Sequence, residues 1–344
     1  MTAACNGTGG IVAAVIIGLA LLVVVPLVVD PIFLIELTSY VILAILALSL
    51  GLIWGYGGIL CFGQSAFFGI GAYAYAIAVI NMGDSTIPLI LSIVVPALFA
   101  ALLGYFLFYA RITDVYFGVI TLTVTLILYK LMGTTSGSAY TIGNAAIGGY
   151  NGIPAIPPLN LPGSPTTFLS LDGLFYAAGL TLLAVYVGLR LMLKSRFGQV
   201  VVAIRENERR AELLGYDARF YKLAAFTIGG GIAGLAGCLF ANWGMFISPD
   251  VFGLAQSAQV IIWVIVGGTG TLLGPIVGCF LVQWIATQLG TQQVLNANLV
   301  LGTILIGFVL LVPKGITPTV LDLIERTCQR RSYAKPLVEK RSVS

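Results

Sequence analysis

L-T-S-Y-V-I-L-A-I-L-A-L-S-L-G-L-I-W, residues 37–54, holds no charged side chain over 18 positions. A helix of about 20 apolar residues spans the hydrocarbon core of a bilayer, so the run predicts a membrane crossing. Working outward, similar apolar runs fall at 11–29, 66–80, 88–109, 115–132, 171–190, 221–243, 251–268, 272–290 and 295–312. With 37–54 they predict about ten spans. The whole chain agrees: of 344 residues, 59% are hydrophobic and 9% charged, and mean hydropathy is +1.03. A soluble domain carries about 25% charged residues. The predicted fold class is an all-α polytopic membrane protein with glycine-rich breaks and a possible internal repeat. Residues 1–320 form the transmembrane domain and 321–344 a basic tail. No Lys or Arg precedes the run at 11–29, which therefore reads as a retained span rather than a cleaved leader.

Basic residues set the orientation. Of the 17 Lys and Arg residues, 15 lie in 190–222 and 314–341. The positive-inside rule puts both segments in the cytoplasm, with an even number of crossings between them. Four spans fit, as does a re-entrant loop in place of the middle pair. Counting back places the N-terminus inside and 133–170 outside. That loop contains no charged residue, and its composition took no part in the assignment.

Two glycine-rich stretches interrupt the apolar pattern, G-Y-G-G-I-L-C-F-G-Q at 55–64 and V-G-G-T-G-T-L-L-G-P at 266–275. The break-forming positions are Gly57, Gly58, Gly63, Gly267, Gly268, Gly270 and Gly274. Unwound backbone at membrane depth persists only where it lines a cavity or is buried in protein. Each stretch is therefore either a broken helix beside a solute path or a site of close helix packing. Uncharged polar groups lie nearby. Gln64, Ser65, Thr121, Thr125 and Gln259 are candidates for lining a path; alternatively, Thr bonds back to its own helix and Gln links neighbouring helices. Thr121 and Thr125, four apart, share a helix face.

Several chemistries are excluded. The chain has no histidine, so histidine acid–base catalysis and histidine metal sites are out, and no metal site is expected. There is no phosphate-loop motif to bind ATP. No paired acids suggest a proton relay, and intramembrane ionisable groups, the usual mark of an ion-coupled carrier, are nearly absent. Lys130, at the outer end of 115–132, is expected to snorkel to the interface. Cys5, Cys61, Cys238, Cys279 and Cys328 form no close pair and read as small hydrophobes.

The segment 194–222 is the most informative, K-S-R-F-G-Q-V-V-V-A-I-R-E-N-E-R-R-A-E-L-L-G-Y-D-A-R-F-Y-K. Residues 200–214 predict one short amphipathic helix, with Val200, Ile204, Ala211 and Leu214 on one side. Arg205 with Glu208, Glu206 with Arg210, and Arg209 with Glu212 stand at supportive spacings, and Gly215 is the stop. An apolar stripe on such a loop suggests docking on another protein or on the membrane surface.

This segment resembles the coupling loop of the branched-chain amino acid permeases of the LivM type. The resemblance is strongest in A-I-R-E-N-E-R-R-A-E-L-L-G-Y-D at 203–217. It continues through K-L-A-A-F at 222–226, G-I-A-G-L-A-G at 231–237, I-S-P-D-V-F-G at 247–253, I-V-G-G-T-G-T-L-L-G-P at 265–275 and P-K-G-I at 313–316. In the first half G-Q-S-A-F-F-G-I-G-A-Y at 63–73, R-I-T-D-V-Y-F-G-V-I-T-L at 111–122 and G-G-Y-N-G-I at 148–153 are also similar. The resemblance implies a non-enzymatic permease subunit of an ATP-binding-cassette importer in the inner membrane, moving branched-chain or other small amino acids. It implies a second related permease, two ATPase subunits that use the ATP, an external solute-binding protein, and no cofactor or nucleic acid. Arg205, Glu206, Asn207, Glu208, Arg209, Ala211 and Gly215 would couple to the ATPase. Cys61, Gln64 and Ile147 stand where the family commonly has Ser, His and Thr. A similar branch handles urea and short amides, and I-I-W-V-I-V-G-G at 261–268 is similar to that branch too.

Overall fold

The computed structural model describes residues 8–110, 112–137, 140–161, 164–291, 302 and 315–319. The chain is built from helices: α1 (Thr8–Val28), α2 (Pro31–Leu50, continuing as a π-helical turn Gly51–Tyr56), α3 (Gln64–Met82), α4 (Thr86–Tyr109), α5 (Asp114–Thr134), α6 (Leu171–Lys194), α7 (Arg196–Glu206), α8 (Glu208–Leu213), α9 (Ala218–Gly244), α10 (Leu254–Gly267) and α11 (Leu273–Thr291). Nine of the ten expected runs coincide with helices; the tenth, 295–312, and the tail 321–344 fall outside the described residues. Six helical segments among the described residues are long and apolar enough to cross a membrane: Pro31–Tyr56, Gln64–Met82, Thr86–Tyr109, Val115–Thr134, Asp172–Lys194 and Ala218–Gly244.

The expected span at 251–268 needs correction. Pro249–Phe252 is a 3-10 turn and α10 is 14 residues long. At helical rise this is about 21 Å, short of the roughly 30 Å hydrocarbon core. With α11 it forms a helical hairpin with one short arm.

Helix α9 is the hub, packing on α2, α3 and α4. Helices in lipid gain little from burying apolar surface against each other, so close approach through small residues takes over. The glycines of 229–237 provide it. A Cβ on Gly71 of α3 would sit 2.3 Å from the Gly234 Cα, and one on Gly237 would sit 2.0 Å from the Phe68 carbonyl oxygen. The outward faces of α4 and α5 are apolar; Leu98, Phe106, Tyr116 and Ile127 are all exposed, as side chains facing acyl tails require.

The loop between α5 and α6 is stitched to the ends of α3 and α9. Ile153–Pro154 pairs antiparallel with Phe246–Ile247. The Ser85 amide donates to Asn160 Oδ1 at 2.8 Å, and the Asn160 amide donates to Ser85 Oγ at 3.2 Å. Asn81 accepts from the Asn144 amide at 2.7 Å and donates to the Ile142 carbonyl at 2.9 Å. These bonds gather 81–85, 142–160 and 246–247 at one end of the bundle. The opposite end of α6 carries 195–217, and the chain breaks at 55–58 and 268–269 lie beside it.

Candidate functional site

The first glycine stretch is a real interruption. Helix α2 widens into the π turn and then loses helical form until Gln64. The amides of Gly57, Gly58 and Ile59 are spent on the carbonyls of Leu52, Trp54 and Ile53. Gly58 sits at φ +68°, a left-handed conformation that favours glycine. Gly63 presses bare backbone onto α5: a Cβ there would lie 2.3 Å from the Thr121 carbonyl oxygen and 2.8 Å from Thr125 Oγ1.

The polar residues expected near a path surround this break. The Phe62 amide donates to Thr121 Oγ1 at 3.3 Å. The hydroxyls of Thr121 and Thr125 donate to the carbonyls of Gly118 at 2.9 Å and Thr121 at 2.8 Å. Gln64 Nε2 donates to Ser49 Oγ at 2.8 Å and to the Gly229 carbonyl at 3.2 Å, tying α3 to α2 and α9; its Oε1 is buried with no partner. The Ser65 and Ser257 hydroxyls meet at 2.5 Å. Gln259 is half-buried on α10. Gln64, Ser65, Thr121 and Thr125 thus line a buried layer in which they hold helices and broken backbone together.

The second stretch is held differently. Helix α10 ends at Gly267, Gly268 adopts φ +100°, and the chain doubles back into α11. A Cβ on Gly267 would lie 1.8 Å from the Gly274 carbonyl oxygen, and one on Gly278 would lie 2.0 Å from the Trp263 carbonyl oxygen. Gly270 has only ordinary contact, with Pro318 at 3.8 Å, so packing does not require glycine there. The two breaks touch. A Cβ on Gly55 would sit 2.6 Å from the Thr269 carbonyl oxygen, and one on Gly51 would sit 2.5 Å from Pro275 Cγ. Sequence reasoning does not join them, although counting the ten predicted spans from a cytoplasmic N-terminus would put both on one membrane face.

The charged segment departs from expectation in three ways. The single helix over 200–214 is two helices, α7 and α8, because Asn207 is extended (φ −160°, ψ 96°). Its side-chain oxygen accepts from the Arg210 amide at 2.9 Å, the N-cap role that suits asparagine. The apolar stripe is also rearranged. Val200, Ile204 and Ala211 bury themselves with Ala218 against Tyr221, while Leu214 is turned out with Leu213, 73% and 85% exposed. Finally, the ion pairs among the described residues are Arg205–Glu206 at 3.6 Å and Lys222–Glu208 at 2.7 Å, not those set by helical spacing. Once the helix breaks at 207, the helical geometry that would join Arg205 to Glu208 and Glu206 to Arg210 is lost; Arg209 and Glu212, both in α8, form no ion pair among the described residues. Glu206, Glu208 and Arg209 are exposed. Gly215, at φ +90°, ends the segment as a stop. Arg205 turns towards the first break, where its guanidinium donates to the Gly55 carbonyl.

Cys61, Cys238 and Cys279 are buried free thiols. Lys130 is exposed at the end of α5, 5.8 Å from the Tyr129 ring centre.

The family described as branched-chain amino acid transport system, permease component, matches residues 32–312. The chain is 30% identical over 308 residues to the high-affinity branched-chain amino acid transport system permease protein LivM of Escherichia coli K12, covering 82% of this chain and 69% of that protein. It is 31% identical over 306 residues to LivM of Salmonella typhimurium, with the same coverage. The autoinducer 2 import system permease protein LsrC of Escherichia coli O9:H4 is 29% identical over 167 residues, 48% of each chain. No solved structure matches. A helical bundle built on glycine contacts, two helix breaks in contact, a charged segment packed beside them and this match over most of the chain lead to one conclusion: the protein belongs to the branched-chain amino acid permease family and is a permease subunit of an ATP-binding-cassette importer.

Proposed function

We propose that this permease carries branched-chain or other small amino acids inward across the inner membrane. It would work with a second related permease, two ATPase subunits and an external solute-binding protein. The solute class follows the names of the LivM relatives, which align over 82% of the chain. In this reading 194–220 and both termini face the cytoplasm, 133–170 faces outward, and ATP is hydrolysed by the partner subunits.

The observation that carries the ATPase contact is the exposed Leu213–Leu214 tip. The segment has a small core of its own, so it holds its shape while presenting two large apolar side chains at its end. Large apolar side chains that a partner removes from water can anchor an interface within a polar rim. Asn207 shapes the segment, and Glu206, Glu208 and Arg209 would fix orientation around the tip. The test is Leu214→Glu. Burying nothing in the free chain, it should leave thermal stability within about 0.5 kcal/mol while weakening co-purification of the ATPase at least about tenfold, the loss of a hot-spot side chain. Retention of the ATPase at wild-type levels would refute the docking tip. Calorimetry of the partner binding protein separates solutes: tight binding of urea or a short amide in place of leucine would move this chain to that branch.

A further inference from the structure

We propose that Arg205 is a positioning residue that transmits movement of the charged segment to both helix breaks, rather than a contact to the ATPase surface. The inference rests on the reading of that segment as the ATPase-facing element. Arg205 lies in the last turn of α7, two residues before Asn207 bends the chain. Its side chain reaches the first break. Nη1 donates to the carbonyl of Gly55, a group left over where the π turn stops and the following amides bond elsewhere. Such terminal carbonyls need outside donors, and the helix dipole favours a cation at that end.

The contact continues along the stem of the side chain. A Cβ on Gly58 would lie 2.9 Å from Arg205 Cγ and 3.3 Å from Arg205 Cβ, so the arginine lies flat on the break where backbone is bare. Gly55 in turn rests on the carbonyl of Thr269 in the second break. One side chain of the charged segment therefore grips the first break at two points, and the first break bears directly on the second. Helix α7 cannot shift by an ångström without dragging or releasing the Gly55 carbonyl. Beyond the bond itself, the ion partner of Arg205 among the described residues is Glu206, at 3.6 Å, a long pair on the surface. A planar guanidinium can keep a carbonyl on one nitrogen while its stem stays packed; a lysine ammonium, a point charge on a flexible stem, does so less well.

The test uses the full complex in proteoliposomes, with permeases, ATPase and loaded binding protein, and reads solute transported per ATP hydrolysed. Arg205→Gln is expected to keep the ATPase bound but to lower transport per ATP at least about fivefold, the lower end of typical coupling between sites. Arg205→Lys should recover part of that loss, which a purely structural role would not predict. Unchanged transport per ATP in Arg205→Gln overturns the proposal, and so does loss of the ATPase, which would make Arg205 a docking contact. If Arg205→Gln fails to fold, Arg205→Lys is decisive: reduced transport per ATP with the ATPase retained supports the role, and the wild-type value overturns it. A wild-type chain that retains no ATPase at all defeats the proposed function itself, a result distinguishable from any of these.

Discussion

The two glycine breaks lie against each other yet differ in the balance of contacts that hold them. Around 55–64 side-chain bonds are added to the backbone contact of Gly63 with Thr121: Arg205 on the Gly55 carbonyl, Thr121 on the Phe62 amide, and Gln64 bridging to Ser49 and Gly229. Around 266–275 it is secured mainly by backbone lying on backbone, Gly267 on Gly274 and Gly278 on Trp263. Side-chain bonds can be exchanged one at a time, whereas backbone interlocks exist whole or not at all. On the coupling proposed above, the first break would be suited to rearrange under a signal from the charged segment, and the second would act as a stiffer stop against which it moves.

The sharpest way to break this comparison is to place a side chain in the rigid half. Gly278→Val would drive a branched side chain into the Trp263 carbonyl, with no flexible neighbour to yield. Overpacking of this kind is expected to cost about 3 kcal/mol or more, seen as loss of monodisperse protein in detergent chromatography. A Gly278→Val protein that melts like wild type would show the hairpin to be pliable.

The first break should lose less. Gln64→Leu keeps the volume and removes both the two bridging bonds and the unpartnered Oε1. Ser49 keeps its own bond to the Leu46 carbonyl at 2.6 Å, so one stranded group is avoided. Interhelical hydrogen bonds in membranes contribute about 0.6 kcal/mol on average, and we expect a thermal destabilisation of about 1 kcal/mol in a protein that still assembles. A loss as large as that of Gly278→Val would erase the contrast between the breaks.

Much of this was legible in the sequence, and what was not has physical reasons. Uncharged runs mark membrane helices because lipid offers no partner for an exposed backbone, and nine of the ten runs coincide with helices. Both breaks were visible because glycine clusters between apolar runs have few other uses. The charged segment departs from expectation because one helical period pairs Arg205 with Glu208 and Glu206 with Arg210, and a single cap at Asn207 ends that period. The same period puts Leu214 on one docking stripe with Val200, Ile204 and Ala211; after the kink, those three turn inward with Ala218 to form the small core and Leu214 is left exposed. The contacts Gly55–Thr269 and Arg205–Gly55 join residues more than 100 positions apart, and no local pattern records such a distance.

The two threonines that serve the breaks test the comparison most finely, and the smallest expected effect is at Thr271. Thr121→Val removes the hydroxyl that receives the Phe62 amide and leaves that amide without its partner. The bond is long at 3.3 Å, so its loss should cost about 1 kcal/mol, the lower part of the penalty for a stranded donor. In the second break, Thr271 Oγ1 receives the Gly274 amide at 3.1 Å. That amide also lies 3.3 Å from the Thr271 carbonyl, a group that survives in Thr271→Ala. An N-terminal cap lost to alanine ordinarily costs about 0.5–2 kcal/mol; with the carbonyl still in reach the cost should fall below the bottom of that range. The steric interlock of Gly267 and Gly274 keeps the turn closed in either case. Thermal melting of both variants in one detergent measures the difference. If Thr271→Ala destabilises more than Thr121→Val, the second break depends on its side chain, and the division into an exchangeable break and a rigid stop fails.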